Sequence, residues 1–359
     1  MIIIGIETSC DDTCISVMKI KNPEKKYRAD FEILSSVVSS QVKLHAKYGG
    51  VYPTLAKREH LKNLDLVFKQ AIKEAKDNNE NKKFKVDLIA VTVGPGLEPC
   101  LWTGINYSEK LSEKLKAPII PVNHIEAHVL ANWLEPIQKE GIKLPAICLI
   151  VSGGHTQLVL MKSFNRYQIL GETRDDAAGE CFDKTARILG LGYPGGPIIS
   201  RLADQKSKKK MIIALPRPMI YQKNYDFSFS GLKTAVLYDY RKRSARTKKS
   251  KAYIKAMAKE IQQSIIDVLI SKTIRAIKEY KVKSVILGGG VAANQELRKQ
   301  LERTIEKESP EIKFFAPSLN LSTDNAAMTA LTGYYESLRK KGWKKIKANA
   351  NLKIGRPYE

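Results

Sequence analysis

Short apolar runs that break abruptly into polar turns occur at corresponding places in the two halves of this chain. Ile2-Ile3-Ile4-Gly5-Ile6 gives way to Glu7-Thr8-Ser9-Cys10-Asp11-Asp12, and a second β-like stretch follows from Cys14 to Ile20. Much later Ala146-Ile147-Cys148-Leu149-Ile150-Val151 breaks into Ser152-Gly153-Gly154-His155-Thr156, with Gln157 to Met161 as the return strand. Each half therefore opens on a hairpin. Each also holds a helix-to-strand unit ending in glycines. An amphipathic helix over Leu61–Lys76 leads to a buried strand Val86–Val93 and Gly94-Pro95-Gly96. A helix over Tyr253–Tyr280 leads to a strand Ser284–Leu287 and Gly288-Gly289-Gly290. Strands alternating with helices predict an α/β chain with a central sheet flanked by helices in each half, and an internal duplication is the economical reading. Asn22–Lys26, Asp77–Lys83 and Pro194–Tyr225 read as irregular, and Glu135-Pro136 with Gly141–Pro145 puts a boundary near 135–145.

Length supports two bodies, since 359 residues exceed one ordinary core. The balance of 43% hydrophobic and 27% charged residues excludes a disordered chain. A net charge of +24 points to a polyanionic partner, nucleic acid first, although a Lys-rich bias that only decorates solvated faces gives the same count. No segment approaches the ~20 apolar residues that cross a bilayer. Met1–Ile6 lacks a basic region and is expected to be a strand, not a signal peptide. Five scattered cysteines, Cys10, Cys14, Cys100, Cys148 and Cys181, fit free thiols in a reducing cytosol.

Two features carry chemistry. Glycine turns directly after buried strands let backbone N–H groups approach a phosphate, and Ser152-Gly153-Gly154 and Gly288 to Asn294 both have that context. Neither matches a P-loop or a dinucleotide fingerprint. The second feature is a histidine pair. Asn123 can cap a helix on which His124 and His128 stand at i and i+4, one face and one ion apart. Zinc peptidases carry Glu immediately after the first His, whereas Glu126 lies about 200° round the helix from His124, off the ligand face. A third ligand must come from elsewhere. Asp324 offers itself ahead of a helix from Ala326 to Leu338, where it could equally be the N-cap.

Together with those segments, further motifs resemble the TsaD family, the tRNA threonylcarbamoyladenosine transferases, in a bacterial form. The resemblance rests on Gly5 to Thr13, His124-x-Glu126-x-His128, Val151 to Thr156, Asp175 to Lys184 and Tyr193 to Pro197. It continues through Phe227 to Thr234, Gly289 to Asn294 and Ser322 to Met328, in order from residue 2 to about 335. It implies an actin-like, sugar-kinase-like ATPase fold of two ribonuclease-H-like lobes around a cleft. Residues 1–140 would form one lobe, with 325–359 packing back on it, and 141–324 the other. It implies transfer of the threonylcarbamoyl group from threonylcarbamoyl-AMP to N6 of adenosine 37 in tRNAs reading ANN codons, with AMP released. His124, His128 and Asp324 then look like metal ligands, with Fe2+ the usual ion and Zn2+ the alternative. Ile150, Val151, Ser152, Gly153, Gly154, Asp183, Gly196 and Asn294 look like adenylate-binding positions. Asp183 would suit a ribose hydroxyl. No general base is evident; Glu7, Asp11 and Asp12 are candidates that could equally stabilise the hairpin turn. TsaB and TsaE type proteins are the implied partners, in the cytoplasm. A metallopeptidase acting on glycoproteins and a non-catalytic ATP-binding scaffold are the competing classes. The chain departs from the family at Glu98-Pro99-Cys100 and in two very basic stretches, Arg241–Lys251, with seven Lys or Arg, and Lys340–Lys347. The first of these is expected to contribute to tRNA binding.

Overall fold

A computed structural model describes residues 1–79, 84–135, 141–206, 211–339, 346–356 and 358. The chain divides into two compact units, Met1–Lys139 with Asp324–Glu359, and Glu140–Thr323. The prolyl part of the boundary reading (Pro136), the end of the Asp77–Lys83 stretch and most of the basic Lys340–Lys347 stretch lie outside the described residues.

In the first unit β1 (Ile2–Glu7), β2 (Asp12–Lys21) and β3 (Asp30–Ser40) form an antiparallel meander, with Ile6 opposite Ile15 and Glu7 opposite Cys14. The 26-residue helix α1 (Pro53–Asn78) leads to β4 (Leu88–Gly94), which pairs parallel with β1. After α2 (Glu98–Leu115), β5 (Ile119–Asn123) adds to β4, giving the order β3-β2-β1-β4-β5. A short helix α3 (His124–Leu130) follows at once.

The second unit repeats this plan. β6 (Ala146–Val151), β7 (Thr156–Ser163) and β8 (Arg166–Glu172) form the meander. Then come α4 (Ala178–Ile188), α5 (Gly195–Ala203), α6 (Ser230–Lys242), α7 (Ala245–Lys248) and the long α8 (Lys251–Tyr280). β9 (Ser284–Gly288) pairs parallel with β6, and after α9 (Gln295–Glu308) comes β10 (Lys313–Phe315), giving the order β10-β9-β6-β7-β8. Both sheets share one strand order and one pattern of directions, the arrangement of a ribonuclease-H-like lobe. Finally α10 (Ala326–Ser337) packs on the first sheet, buried along almost its whole length.

Each sheet buries its own core. In the first unit Ile2, Ile4 and Ile6 share one core with Leu64, Val67 and Ala71 of α1; in the second, Ile147, Leu149 and Val151 share one with Ile261, Ile265 and Leu269 of α8. The period of two on the strands and the mixed three–four spacing on the helices put these residues on facing surfaces. The stretches expected to be irregular are corrected in part: Pro23–Arg28 forms a 3-10 helix with a break at Lys26, Asp77 and Asn78 end α1, and α5 begins inside Pro-Gly-Gly-Pro of Pro194–Tyr225. Pro194 is its N-cap and Pro197 lies in its first turn, where a missing N–H leaves no helical bond unmade. The charged stretch from Arg241 contains the one-turn helix α7.

Candidate functional site

The histidine pair is positioned from β5 onward. Asn123 ends that strand, and its Oδ1 accepts hydrogen bonds from the N–H of Ile125 (2.9 Å) and Glu126 (3.1 Å), the cap expected from sequence. All seven residues of α3 are buried. His124 and His128 face one another with ring centroids 4.6 Å apart. Asp324 Oδ1 lies 3.2 Å from His128 Nε2 and 3.6 Å from His124 Nε2. The three ligand atoms fall within 4.8 Å of one another. The two roles open to Asp324 separate here. Asn325 caps α10 by accepting from Met328 N (3.0 Å), and Asp324 turns to the histidines.

Glu7 decides how His124 is presented. It is fully buried at the end of β1, and it accepts from Ser9 N (2.7 Å) and from the Thr92 hydroxyl (2.6 Å). His124 Nδ1 sits 3.1 Å from the same carboxylate and 3.3 Å from Ser9 Oγ. A carboxylate only accepts, so Nδ1–H donates to Glu7, and Nε2, once it gives up its own proton, turns a lone pair towards Asp324 and His128. That is the tautomer a metal needs, and two imidazoles with one carboxylate are a donor set that suits a divalent transition ion. The residues fit. Burial alone would lower the His124 pKa, but Glu7 and Asp324 overcome it and push it up to about 9. Burial would likewise raise Glu7, yet the His124 charge and hydrogen bond hold its carboxyl below the usual range.

A pH dependence follows from the His124 shift to about 9. Imidazole ordinarily titrates near 6.5, so the Glu7–His124 ion pair stabilises the metal-free fold fully below about 6.5 and is lost as pH climbs towards 9. An ion bound at Nε2 must displace the proton that atom carries below that pKa. Its apparent affinity should therefore rise about tenfold per pH unit between about 6.5 and 9. Competition titrations with a chelator across that range measure this; an affinity independent of pH would contradict it.

The other two carboxylates of the hairpin differ from Glu7. Asp11 and Asp12 are only partly buried. Burial raises both, and Asp12, opposed by Ser40 and helped by the charges of Asp324 and Asp11, is pushed up to about 7. His60, which sequence reasoning passed over, braces their turn. Its Nε2–H donates to the Cys10 carbonyl (3.0 Å), which leaves Nδ1 to accept from the Thr13 hydroxyl (2.8 Å). Glu126 is buried away from the histidine pair, in the field of Arg339 and Tyr358. Of the family departures, Cys100 is buried and its carbonyl accepts from the Thr8 hydroxyl (3.0 Å), while Glu98 borders a small cavity with Asn349 and Leu352.

In the second unit a cavity of about 600 Å³ is bordered by Gly153, Asp183, Gly196, Gly290 and Asn294. Three helix starts meet there. Gly179 lies in the first turn of α4, Gly196 in the first turn of α5, and Asn294 caps α9 through Leu297 N (3.0 Å). Convergent N–H groups and positive helix ends give this cavity a lining whose chemistry suits an anion. Gly289 stands at φ +88°, where a Cβ would lie 2.5 Å from the Val151 carbonyl, so the turn requires glycine. Asp183 has a structural partner as well, accepting from Gly195 N (2.7 Å) at the head of α5. The structure thus brings Gly153, Asp183, Gly196 and Asn294 to one cavity. Ile150 and Val151 are buried inside β6, and Ser152 closes the turn by accepting from His155 N (3.1 Å); these three and Gly154 do not border it.

The family model TsaD, described as tRNA N6-adenosine threonylcarbamoyltransferase, matches residues 32–331. A protein of that name from Thermosipho africanus is 46% identical over 357 residues, covering 99% of this chain and 100% of its own length. One from Persephonella marina is 47% identical over 337 residues, covering 93% and 90%. Among solved structures, full-length HypF in a phosphate- and nucleotide-bound form superposes with a TM-score of 0.56 at 12% identity, over 95% of this chain and 56% of that one. HypF of T. kodakarensis gives 0.53 at 14% identity, over 94% and 47%. These two likenesses speak for the fold alone. Matched through both units, and end to end with its curated relatives, the chain belongs to the TsaD family of tRNA N6-adenosine threonylcarbamoyltransferases.

Proposed function

We propose that the chain moves the threonylcarbamoyl group of threonylcarbamoyl-AMP onto N6 of adenosine 37 in tRNAs that read ANN codons, releasing AMP. The observation that carries this reading is the buried His124–His128–Asp324 triad, oriented by Glu7, in a chain with full-length relatives of that name. The bond formed joins N6 to the carbamoyl carbon, and the bond broken joins that carbon to the phosphate oxygen. Bound at the triad, a divalent ion supplies Lewis-acid polarisation of the acyl group. The family resemblance implies Fe2+, with Zn2+ the alternative; two imidazoles and one carboxylate suit either ion. The cavity of the second unit takes the adenylate, its three helix starts holding the phosphate that leaves as AMP. Asp183 stands at its wall for a ribose hydroxyl. Of the hairpin carboxylates, Glu7 is committed to His124, which leaves Asp11 and Asp12, both raised by burial, as the candidates for the base that takes the proton from N6. Five unpaired cysteine thiols agree with a cytoplasmic setting. TsaB and TsaE type proteins are the proposed partners.

The deciding experiment supplies pure chain, those two partners, tRNA and threonylcarbamoyl-AMP. Modified adenosine and AMP should accumulate in equal amounts. No modification with every component present rejects the reading, and chelator-sensitive cleavage of a glycoprotein would restore the peptidase alternative. A second expectation concerns the cavity. A Cβ added at Gly290 meets nothing within 4 Å, so a side chain there projects into free space. Gly290→Val should weaken AMP binding at least about tenfold by filling ligand volume, with little change in thermal stability. Calorimetric titration with AMP reads this directly; unaltered affinity removes the cavity as the nucleotide site.

A further inference from the structure

We propose that the turn joining α6, α7 and α8, residues 238–251, is the surface that grips the tRNA backbone. This rests on the reading above, which makes tRNA the substrate. It adds where, on this chain, the body of that molecule is held. Between Ser230 and Lys259 the sequence contains one acid, Asp239. That acid is consumed internally. Arg243 donates to it twice (2.6 and 3.1 Å), and the Tyr253 hydroxyl donates at 2.9 Å. The same groups build the scaffold. Tyr253 is fully buried, its ring lies 6.4 Å from that of Tyr240, Arg243 stands over Tyr253, and the Lys248 ammonium sits 5.1 Å from the Tyr240 centroid. Ser244 caps α7 through Thr247 N (3.2 Å).

The remaining cations, Arg241, Lys242, Arg246, Lys249 and Lys251, are exposed. None of them forms an ion pair among the described residues. Arg241 and Lys242 meet the C-terminal end of α6, but five like charges on a braced turn still repel one another. A nucleic-acid backbone removes that repulsion and gains the release of its counterions. Tyr238, 56% exposed, lies three and four residues before Arg241 and Lys242 on the same face of α6, where a ring can stack on an unpaired base. Cations spread round a turn suit a continuous row of phosphates better than one discrete anion.

The test compares two quadruple variants of the full chain in filter binding to unmodified tRNA over a salt series. In Arg241→Gln/Lys242→Gln/Lys249→Gln/Lys251→Gln the log–log salt slope should flatten by about 3, and binding near 0.1 M salt should weaken at least about tenfold. AMP binding and the transfer rate at saturating tRNA should stay as in the wild type. The control, Lys283→Gln/Lys299→Gln/Arg303→Gln/Lys307→Gln, removes equal charge from exposed positions of the same unit and should leave the slope close to wild type. An unchanged slope in the first variant, or an equal change in the control, overturns the surface. Polyglutamate competing as well as tRNA at equal charge overturns the nucleic-acid assignment. A wild-type chain that makes no modified adenosine, while the first variant still loses tRNA binding, would refute the transferase reading and retain the surface.

Discussion

Replacing His124 by alanine should end formation of modified adenosine, lowering the rate by about a thousandfold or more, and should leave the purified protein without stoichiometric metal. The size follows from the several kcal/mol that a Lewis acid contributes at a developing oxyanion, each 1.4 kcal/mol being about tenfold. Glu7→Gln separates orientation from ligation. The glutamine keeps the shape, and its oxygen can still accept from Ser9 N. Its amide, however, presents a donor where His124 Nδ1 now donates, 3.1 Å away. The imidazole must turn to the other tautomer, which sets an N–H where the lone pair was aimed at the ion. Metal affinity should fall about 10–100-fold, the usual effect of losing such a partner. Excess metal should restore much of the activity of the glutamine variant and none of the alanine variant. Wild-type metal affinity in Glu7→Gln would show that Glu7 does not set the ligand, and full activity in His124→Ala would remove the triad from the chemistry.

The contrast between these residues also shows what the sequence could tell. His124, His128 and Asn123 are separated by at most five positions, so helical spacing and cap chemistry reveal them. Glu7, Thr92 and His124 belong to three different strands or helices and meet only when β1, β4 and β5 lie side by side. No local pattern encodes that meeting. Asp324 was undecidable for another reason: Asp and Asn are both good caps, and they are adjacent here. Only the fold shows Asn325 bonding Met328. The convergence of three helix starts on one cavity is hidden for the same reason as Glu7. The inner hairpins were legible because both their strands are buried. β3 escaped notice because it is an edge strand with four serines and a half-exposed pattern. In Arg241–Lys251 the charge was plain, but not which cations were spent, because Asp239 lies outside that stretch.

The seating of α10 on the sheet should govern the metal site as strongly as any ligand. Ile2, Ile4 and Ile6 point into one core, so Ile3 and Gly5 face the other side of the sheet, against α10. A Cβ at Gly5 would lie 2.1 Å from the Ala326 carbonyl oxygen and 2.8 Å from Ala330 N. Both atoms are backbone, so trimming a side chain opens no room. Further along the same helix, Gly333 meets Ala90 of β4 in a similar close approach. Gly5→Ala must therefore push the first turn of α10 outward by more than an ångström, and Asp324 precedes that turn by two residues. The expected cost is about 3 kcal/mol of stability, at the upper end for overpacking because the neighbours cannot repack. Metal affinity should drop at least about tenfold although no ligand has changed, since site geometry tolerates only about 0.5 Å of drift. Adding Ala330→Gly should rescue neither property, because the atoms in the way are the main chain. A Gly5→Ala protein that melts and binds metal like the wild type would mean that α10 can slide without moving Asp324, and that the triad is held by α3 alone.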